Sequence, residues 1–258
     1  MKKLNVLSLS ALCLAGLMSQ SCTYEAEVPL PGAVNVDVEF VLAEDEQENP
    51  DARVLDELFI EEGTMNVRKL DVRILGRLPV GSEMNRNFSY DFPNLRPIVY
   101  RNTPEGQEIN LVMPRATYRQ VMFDLEIASA EDAPAASIAG TFSAGGLQNV
   151  PVRFEFWEPD FQVTGKFEAK DGSDVLDFNQ LDEATLLVEL YAKSWFKDVG
   201  IQRMEQAELV DGVILINPDY NVEIYNIVKA KIQDLSRGQL MIRIQQKGKS
   251  KNKGNPNN

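Results

Sequence analysis

The chain is 258 residues long, 44% hydrophobic and 25% charged, with a net charge of −13: the balance of a folded protein, large enough for one sandwich or two small domains. It contains no histidine, which excludes Ser-His and Cys-His nucleophile systems, imidazole metal sites and a histidine pH switch. Leaving out Lys2, Lys3 and the tail lysines Lys247, Lys249, Lys251 and Lys253 takes the charge to −19 over residues 22–246, a body that repels nucleic acid and anionic lipid.

Lys2 and Lys3 precede an apolar stretch, Val6 to Met18, too short to span a bilayer as a mature helix. With the small residues that follow, residues 1–21 read as a secretory signal peptide. Ser19 and Ser21 stand at −3 and −1 from Cys22, as an ordinary signal peptidase requires and equally where a lipobox stands. Cys13 lies inside the leader, so its removal leaves Cys22 as the one mature thiol; no intramolecular disulfide can form, and lipid attachment gives that thiol a role. "AGLMSQSC" resembles the relaxed lipoprotein signal of Bacteroidota, departing from it where Ser19 replaces a large aliphatic residue. The resemblance implies a diacylglycerol on the Cys22 sulfur and an acylated amine, enough chains for stable anchoring. Thr23, in place of the Asp that retains a lipoprotein in the inner membrane, implies the outer membrane. Glu25 and Glu27 stand where surface-export signals carry acids, leaving the periplasmic face or the cell surface as the expected location.

Residues 22–32 form a short tether containing two prolines. Val34, Val36, Val38, Phe40 and Leu42 then alternate with polar residues and predict a half-buried strand. An acidic loop, "AEDEQENPDARVLDE", follows. Asn66 to Leu75 reads as a strand with Leu70, Val72 and Ile74 on one face, and Phe88, Tyr90 and Phe92 make another. After a turn at "RNTPEG", Ile109, Leu111 and Met113 share a face; a second turn at Pro114 to Thr117 leads into a strand with Val121, Phe123, Leu125 and Ile127 inward. Residues 128–148 are rich in Gly, Ala and Ser and suit a boundary or a long crossover. Beyond them alternate Val150, Val152, Phe154 and Phe156, then Phe161 and Val163, then Leu186, Val188 and Leu190. "SWFKDV" reads as one helical turn with Trp195, Phe196 and Val199 on the core.

The C-terminal helix is predicted from Asn217, as cap, through Pro218 and Asp219 in its first turn to Gly238, with Tyr220, Ile224, Ile227, Val228, Ile232 and Leu235 on one face. Leu240, Ile242 and Ile244 predict a last strand, and residues 247–258 a basic disordered tail that solubilises the chain or touches anionic headgroups. Many short strands separated by turns predict a mainly β fold, an antiparallel β-sandwich (Ig-like or transthyretin-like) over residues 33–246, with one C-terminal α-helix and a candidate subdivision near 128–148. Here "VMPRATYRQVMFDLEI", "ELYAKSWFKDV" and "DGVILINPDYNVEIYNIV" resemble segments of β-sandwich lipoproteins of Bacteroidota, and the plan of leader then sandwich is similar to that of fimbrillin-type proteins. The first resemblance implies a fold and carries over no catalytic residue. The second implies proteolytic removal of the first strand at an arginine such as Arg53, leaving a groove for another subunit's strand.

Three acidic groupings are candidate sites. Asp171, Asp174 and Asp177 around a glycine turn offer calcium its oxygens, but without the alternating ligands and terminal Glu of an EF-hand they read first as a polar turn. The acids of "AEDEQEN" read as a solvated loop. Glu155, Glu158 and Asp160 surround Trp157 in "RFEFWEPDF", the residue types of a glycosidase, although outward acids are common on strands. Trp157 is out of phase with Phe154 and Phe156, so it covers the sandwich rim or stacks on a sugar. No phosphate loop surrounds Gly145 and Gly146, and no cofactor is implied. The expected function is a non-enzymatic binding or assembly module held to the membrane by its N-terminal lipid, with a glycan or surface-protein partner and no nucleic acid. A fimbrial or adhesin subunit and a carboxylate-based, glycan-active enzyme are the alternatives.

Overall fold

The computed structural model describes residues 32–43, 57–103, 109–167, 175–238 and 242–246. The leader, Cys22, most of the tether, Arg53, Asp171, Asp174, Leu240 and the tail lie outside the described residues. The chain is mainly β with a C-terminal helix. Its strands are β1 Ala33–Leu42, β2 Leu58–Arg77, β3 Glu83–Arg101, β4 Ile109–Pro114, β5 Thr117–Ile127, β6 Ala136–Phe142, β7 Val150–Phe156, β8 Phe161–Phe167, β9 Leu176–Asp177, β10 Glu183–Leu190, β11 Leu209–Val210, β12 Val213–Ile216 and β13 Ile242–Gln246. A 3-10 turn, Ala192–Phe196, precedes α1 (Ile201–Glu205) and α2 (Val222–Gly238).

The strands join in one mixed sheet in the order β11-β12-β7-β6-β2-β3-β1-β10-β13-β8-β5-β9, with β4 on β1 and a further β2–β5 pairing. β1 meets β3 through one bridge pair, Val41–Arg101, so the sheet is open there. Alternation places the core as the sequence predicts. Val34, Val36 and Val38 of β1, Leu70, Val72 and Ile74 of β2, and Val121, Phe123 and Leu125 of β5 are all buried.

β2 is twice the predicted length and organises the sheet. One edge pairs with β3 from Glu62 to Arg77. The other pairs with β6 over Leu58–Met65 and then with β5 over Val67–Arg77, with a register shift at Arg68. Asn66 sits where the two partners part. Its N–H donates to the Ala135 carbonyl at 2.9 Å, its carbonyl accepts from the Ala128 N–H at 2.9 Å, and its Nδ2 donates to the Pro134 carbonyl at 2.6 Å. Arg68, the bulged residue, is thereby aimed at the loop after β7. It pairs with Asp160 and, at 3.3 Å, with Glu126.

On the outer face of the sheet, Asp124 is buried between neighbouring strands. Its Oδ2 accepts from Arg73 Nε at 2.9 Å and its Oδ1 from Thr164 Oγ1 at 2.7 Å. A carboxylate taken from water this far needs that pairing.

Three expectations change. The sheet is mixed rather than antiparallel: β1 runs parallel to β10 from Asn35–Glu183 to Leu42–Leu190, and β12–β7 and β13–β8 are also parallel. Side-chain alternation is the same in either direction, and no hairpin joins these pairs to impose a sense. The small-residue segment 128–148 contains strand β6, where Gly140 lets the backbone approach β2; a Cβ there would overlap the Phe59 carbonyl oxygen.

The third change is at α2, which starts at Val222, not at Pro218. Asn217 Oδ1 accepts from the N–H groups of Asp219 and Tyr220, both at 2.9 Å, and closes a turn instead; Asn221 follows at φ 50°. Short amide side chains compete with the helix for backbone donors in this way. Ile224, Val228, Ile232 and Leu235 are buried as predicted, joined by Tyr225. Burying five such side chains supplies on the order of 10 kcal/mol gross, against tenths of a kcal/mol per residue from helix propensity, so packing holds α2 in place.

Asn66→Ala is expected to lower stability by about 1–2 kcal/mol, because it strands the Pro134 carbonyl at the point where β5 and β6 diverge. Urea unfolding measures this, and an unchanged midpoint would refute the role given to the side chain.

Candidate functional site

The end of β7 and the loop after it bring the predicted acids near α2. Glu155 is buried at 8% exposure. Its Oε1 lies 2.8 Å from Arg153 Nε; its Oε2 accepts from Trp157 Nε1 at 3.3 Å and from Asn217 Nδ2 at 3.2 Å. Glu158 is ion-paired with Lys229 of α2, and its carbonyl accepts from Ser129 N and Oγ. Asp160 is ion-paired with Arg68. The hydrogen bond to Glu158 holds the Lys229 ammonium above its ordinary range, and burial raises the phenol of Tyr225. Phe154 stacks on Tyr225 at 6.0 Å and meets Trp195 and Phe196 edge-on, which clamps the segment from below.

Each of the three carboxylates therefore has a basic partner. Each is thereby committed to an ion pair within the fold. Trp157 is half-buried with its indole N–H on Glu155, so its polar tip is engaged within the fold. Asp177 is exposed on β9, and its Oδ1 accepts from the Asn179 N–H at 3.0 Å, an Asx turn. Asp171 and Asp174 lie outside the described residues, as does Cys22. Among the described residues no group of three or more acidic or thiol side chains is placed to hold a metal ion.

A site that the sequence reading missed lies at one end of the sheet. The C-terminal end of β1 (Leu42, Ala43), the start of β2 (Leu58, Phe59, Ile60), Asn102 after β3, and Ala192 and Lys193 of the 3-10 turn line a cleft of about 290 Å³. Its lining residues are apolar apart from Asn102 and Lys193, although polar atoms make up the larger part of its wall. Phe59 is 57% exposed, a large aromatic facing away from the core that its neighbour Leu58 enters. Lys193 makes no ion pair with any described residue. The cleft can take an apolar group against Phe59 with a carboxylate or other anion on Lys193. The signal for Phe59 was present: in "LFI" the strand's alternation turns Phe59 to the face opposite Leu58. Nothing local marks Lys193, since only the turn after β10 carries it to the mouth of the cleft.

Asn217→Ala removes a buried amide that serves Glu155 and two backbone N–H groups at once. It is expected to cost about 2–3 kcal/mol, read as a lowered urea midpoint, with quenching of Trp157 altered as Glu155 relaxes. A loss below ~0.5 kcal/mol would refute this. No family model matches this chain, and neither a curated protein nor a solved structure matches it, so its own residues alone bear on what it does.

Proposed function

We propose that this protein is a lipid-anchored outer-membrane binding module, tethered through Cys22, that holds a surface-protein or glycan partner at the cleft between β1, β2 and the 3-10 turn. The observation that carries the reading is the cleft itself: exposed Phe59 and a cation, Lys193, that meets no described acid, in one concavity. An aromatic with a nearby cation and amide suits a partner that presents an apolar group beside a carboxylate, which favours a protein segment over a neutral glycan. Among the described residues no helix is long and apolar enough to cross a membrane, and the anchor assigned to Cys22 rests on the leader. Non-enzymatic action is the favoured reading because Glu155, Glu158 and Asp160 are each tied to Arg or Lys. We further propose that the sheet folds over into a sandwich, with β2 serving both layers; its change of partner at Asn66 supports this, since strands switch sheets at such bulges.

A fimbrial subunit is the second reading, and one observation favours it. β1 is hydrogen-bonded to β10 on one edge and to β4 on the other, and its inward Val34, Val36 and Val38 are fully buried. Its removal would open two strand edges and an apolar groove, which a strand from another copy fits. An Arg-specific protease separates the readings: release of β1 followed by polymerisation supports the fimbrial one, and a nicked monomer that keeps β1 supports the binding module.

Two outcomes are expected. Cys22→Ala should leave the precursor uncleaved or move the protein out of the membrane fraction, and a mature variant that stays membrane-bound without lipid label would refute the anchor. Lys193→Glu and Phe59→Ser should each weaken capture of the same cross-linked partner from intact cells by about tenfold or more, the scale of a hot-spot contact. Capture unchanged in both variants would refute the cleft.

A further inference from the structure

The two ends of the sheet differ, and the chain's entry point fixes which is which. Gly32 precedes β1, and its carbonyl accepts from the Arg115 N–H at 2.7 Å. Arg115 lies in the turn between β4 and β5, and Thr117 at the start of β5 pairs with Arg77 at the end of β2. The tip of the β2–β3 hairpin, residues 78–82, therefore stands at the same end as the tether's last residue. The Phe59–Lys193 cleft stands at the other end, where β1 finishes and β2 starts.

That tip is built unlike the rest of the surface. Its sequence is Leu-Pro-Val-Gly-Ser, closed by Leu78 N–H to Ser82 O at 2.9 Å and Gly81 N–H to Leu78 O at 2.8 Å. Val80 is 83% exposed, the most exposed large apolar side chain among the described residues, and Leu75 behind it is 38% exposed. Arg77 and Arg86 flank the apolar tip, and neither pairs with a described acid. Glu83 is 3.6 Å from Arg119, Asp182 is paired with Arg115, and Asp177 and Glu183 stand at this end too. The net charge of the end is thus near zero. Attraction to an anionic surface does not account for the arrangement, but shallow insertion of apolar side chains with guanidinium groups reaching lipid phosphates does.

We infer that the β2–β3 hairpin tip is a second membrane contact, seating Val80 and Pro79 in the interface of the phospholipid bilayer with Arg77 and Arg86 at headgroup level. The inference rests on the reading of Cys22 as the anchor. Nine residues lie between Cys22 and Gly32, a reach of at most about 35 Å even fully extended. The lipid therefore confines this end of the fold to the neighbourhood of the bilayer. A contact too weak to bind from solution is then enough to orient the domain, because the tether supplies the effective concentration. Held in this way, the hairpin stands the sheet upright and turns the cleft away from the membrane.

The test uses the mature lipidated protein carrying Val80→Cys, whose thiol is unique once the Cys22 sulfur is a thioether. An environment-sensitive fluorophore is placed at position 80, or at position 102 in an Asn102→Cys control, and the protein is reconstituted in phosphatidylcholine vesicles doped with spin-labelled lipid. The label at 80 should be quenched at least about threefold more than the label at 102, and Arg77→Glu with Arg86→Glu should reduce the difference. Equal quenching at 80 and 102 on a protein whose mass includes the lipid overturns the hairpin contact and leaves the anchor standing. A mature mass without lipid overturns both.

Discussion

The structure depends on one backbone decision, the exchange of partners at Asn66 along the edge of β2 that faces away from β3. β3 follows β2 from Glu62 to Arg77 on one edge, whereas β6 and β5 divide the other between them. At Asn66 the N–H goes to the segment leading into β6 and the carbonyl to the segment leaving β5, while the side chain takes the Pro134 carbonyl that would otherwise be orphaned. The hydrogen-bonding demand of a buried backbone is met on both sides of the fork. From there the β6–β7–β12 branch and the β5–β8–β13 branch diverge, and the two ends of β2 reach opposite ends of the molecule.

On the β6–β7–β12 branch, the C-terminal half of the chain is locked down through mixed chemistry. Phe154 carries the apolar part, between Tyr225 of α2 and the rings of the 3-10 turn. Glu155, one residue on and facing the other way, carries the polar part through Arg153, Trp157 and Asn217. A buried carboxylate adds little net stability even when paired, yet it is costly to leave unpaired, so it selects one arrangement of the loop before α2 over its competitors. Asn221 does similar work by side chain, bonding the backbone of Glu208 and the carbonyl of Leu215 from a left-handed conformation. Both asparagines explain why the helix starts where it does.

The ion pairs are unevenly distributed over the fold. In a chain of net charge −13, the acids that cluster around Trp157 are matched by Arg68, Arg153 and Lys229, whereas Lys193 at the cleft and Arg77 and Arg86 at the hairpin have no described acid to meet. Exposed pairs of this kind are worth little in stability, roughly 0–1 kcal/mol each. Of the cations without a described acid, Arg77 and Arg86 lie near the chain's entry and Lys193 beside the exposed Phe59, while Arg96, Lys166 and Lys197 lie elsewhere.

The absence of histidine and the inward faces of β1, β2, β4, β5, β7 and β10 were legible in the sequence, because each is a matter of residue type or of period-two alternation. The Asp211-Gly212 turn of the β11–β12 hairpin, with φ of 52° and 82°, was also written there and went unread, hidden beside the stronger pattern of the helix. Strand direction was not legible, since alternation is blind to sense and β1 meets β10 across most of the chain. Nor was the pairing state of any charge: Glu155, Glu158 and Asp160 look alike in the sequence and differ only in which strand or helix brings each its cation. The cleft joins residues from 42 to 193, so no window of sequence contains it. Composition and local pattern determine which side of each element is buried; which elements meet, and therefore which charges are paired, is decided by the long-range pairing of backbone donors and acceptors.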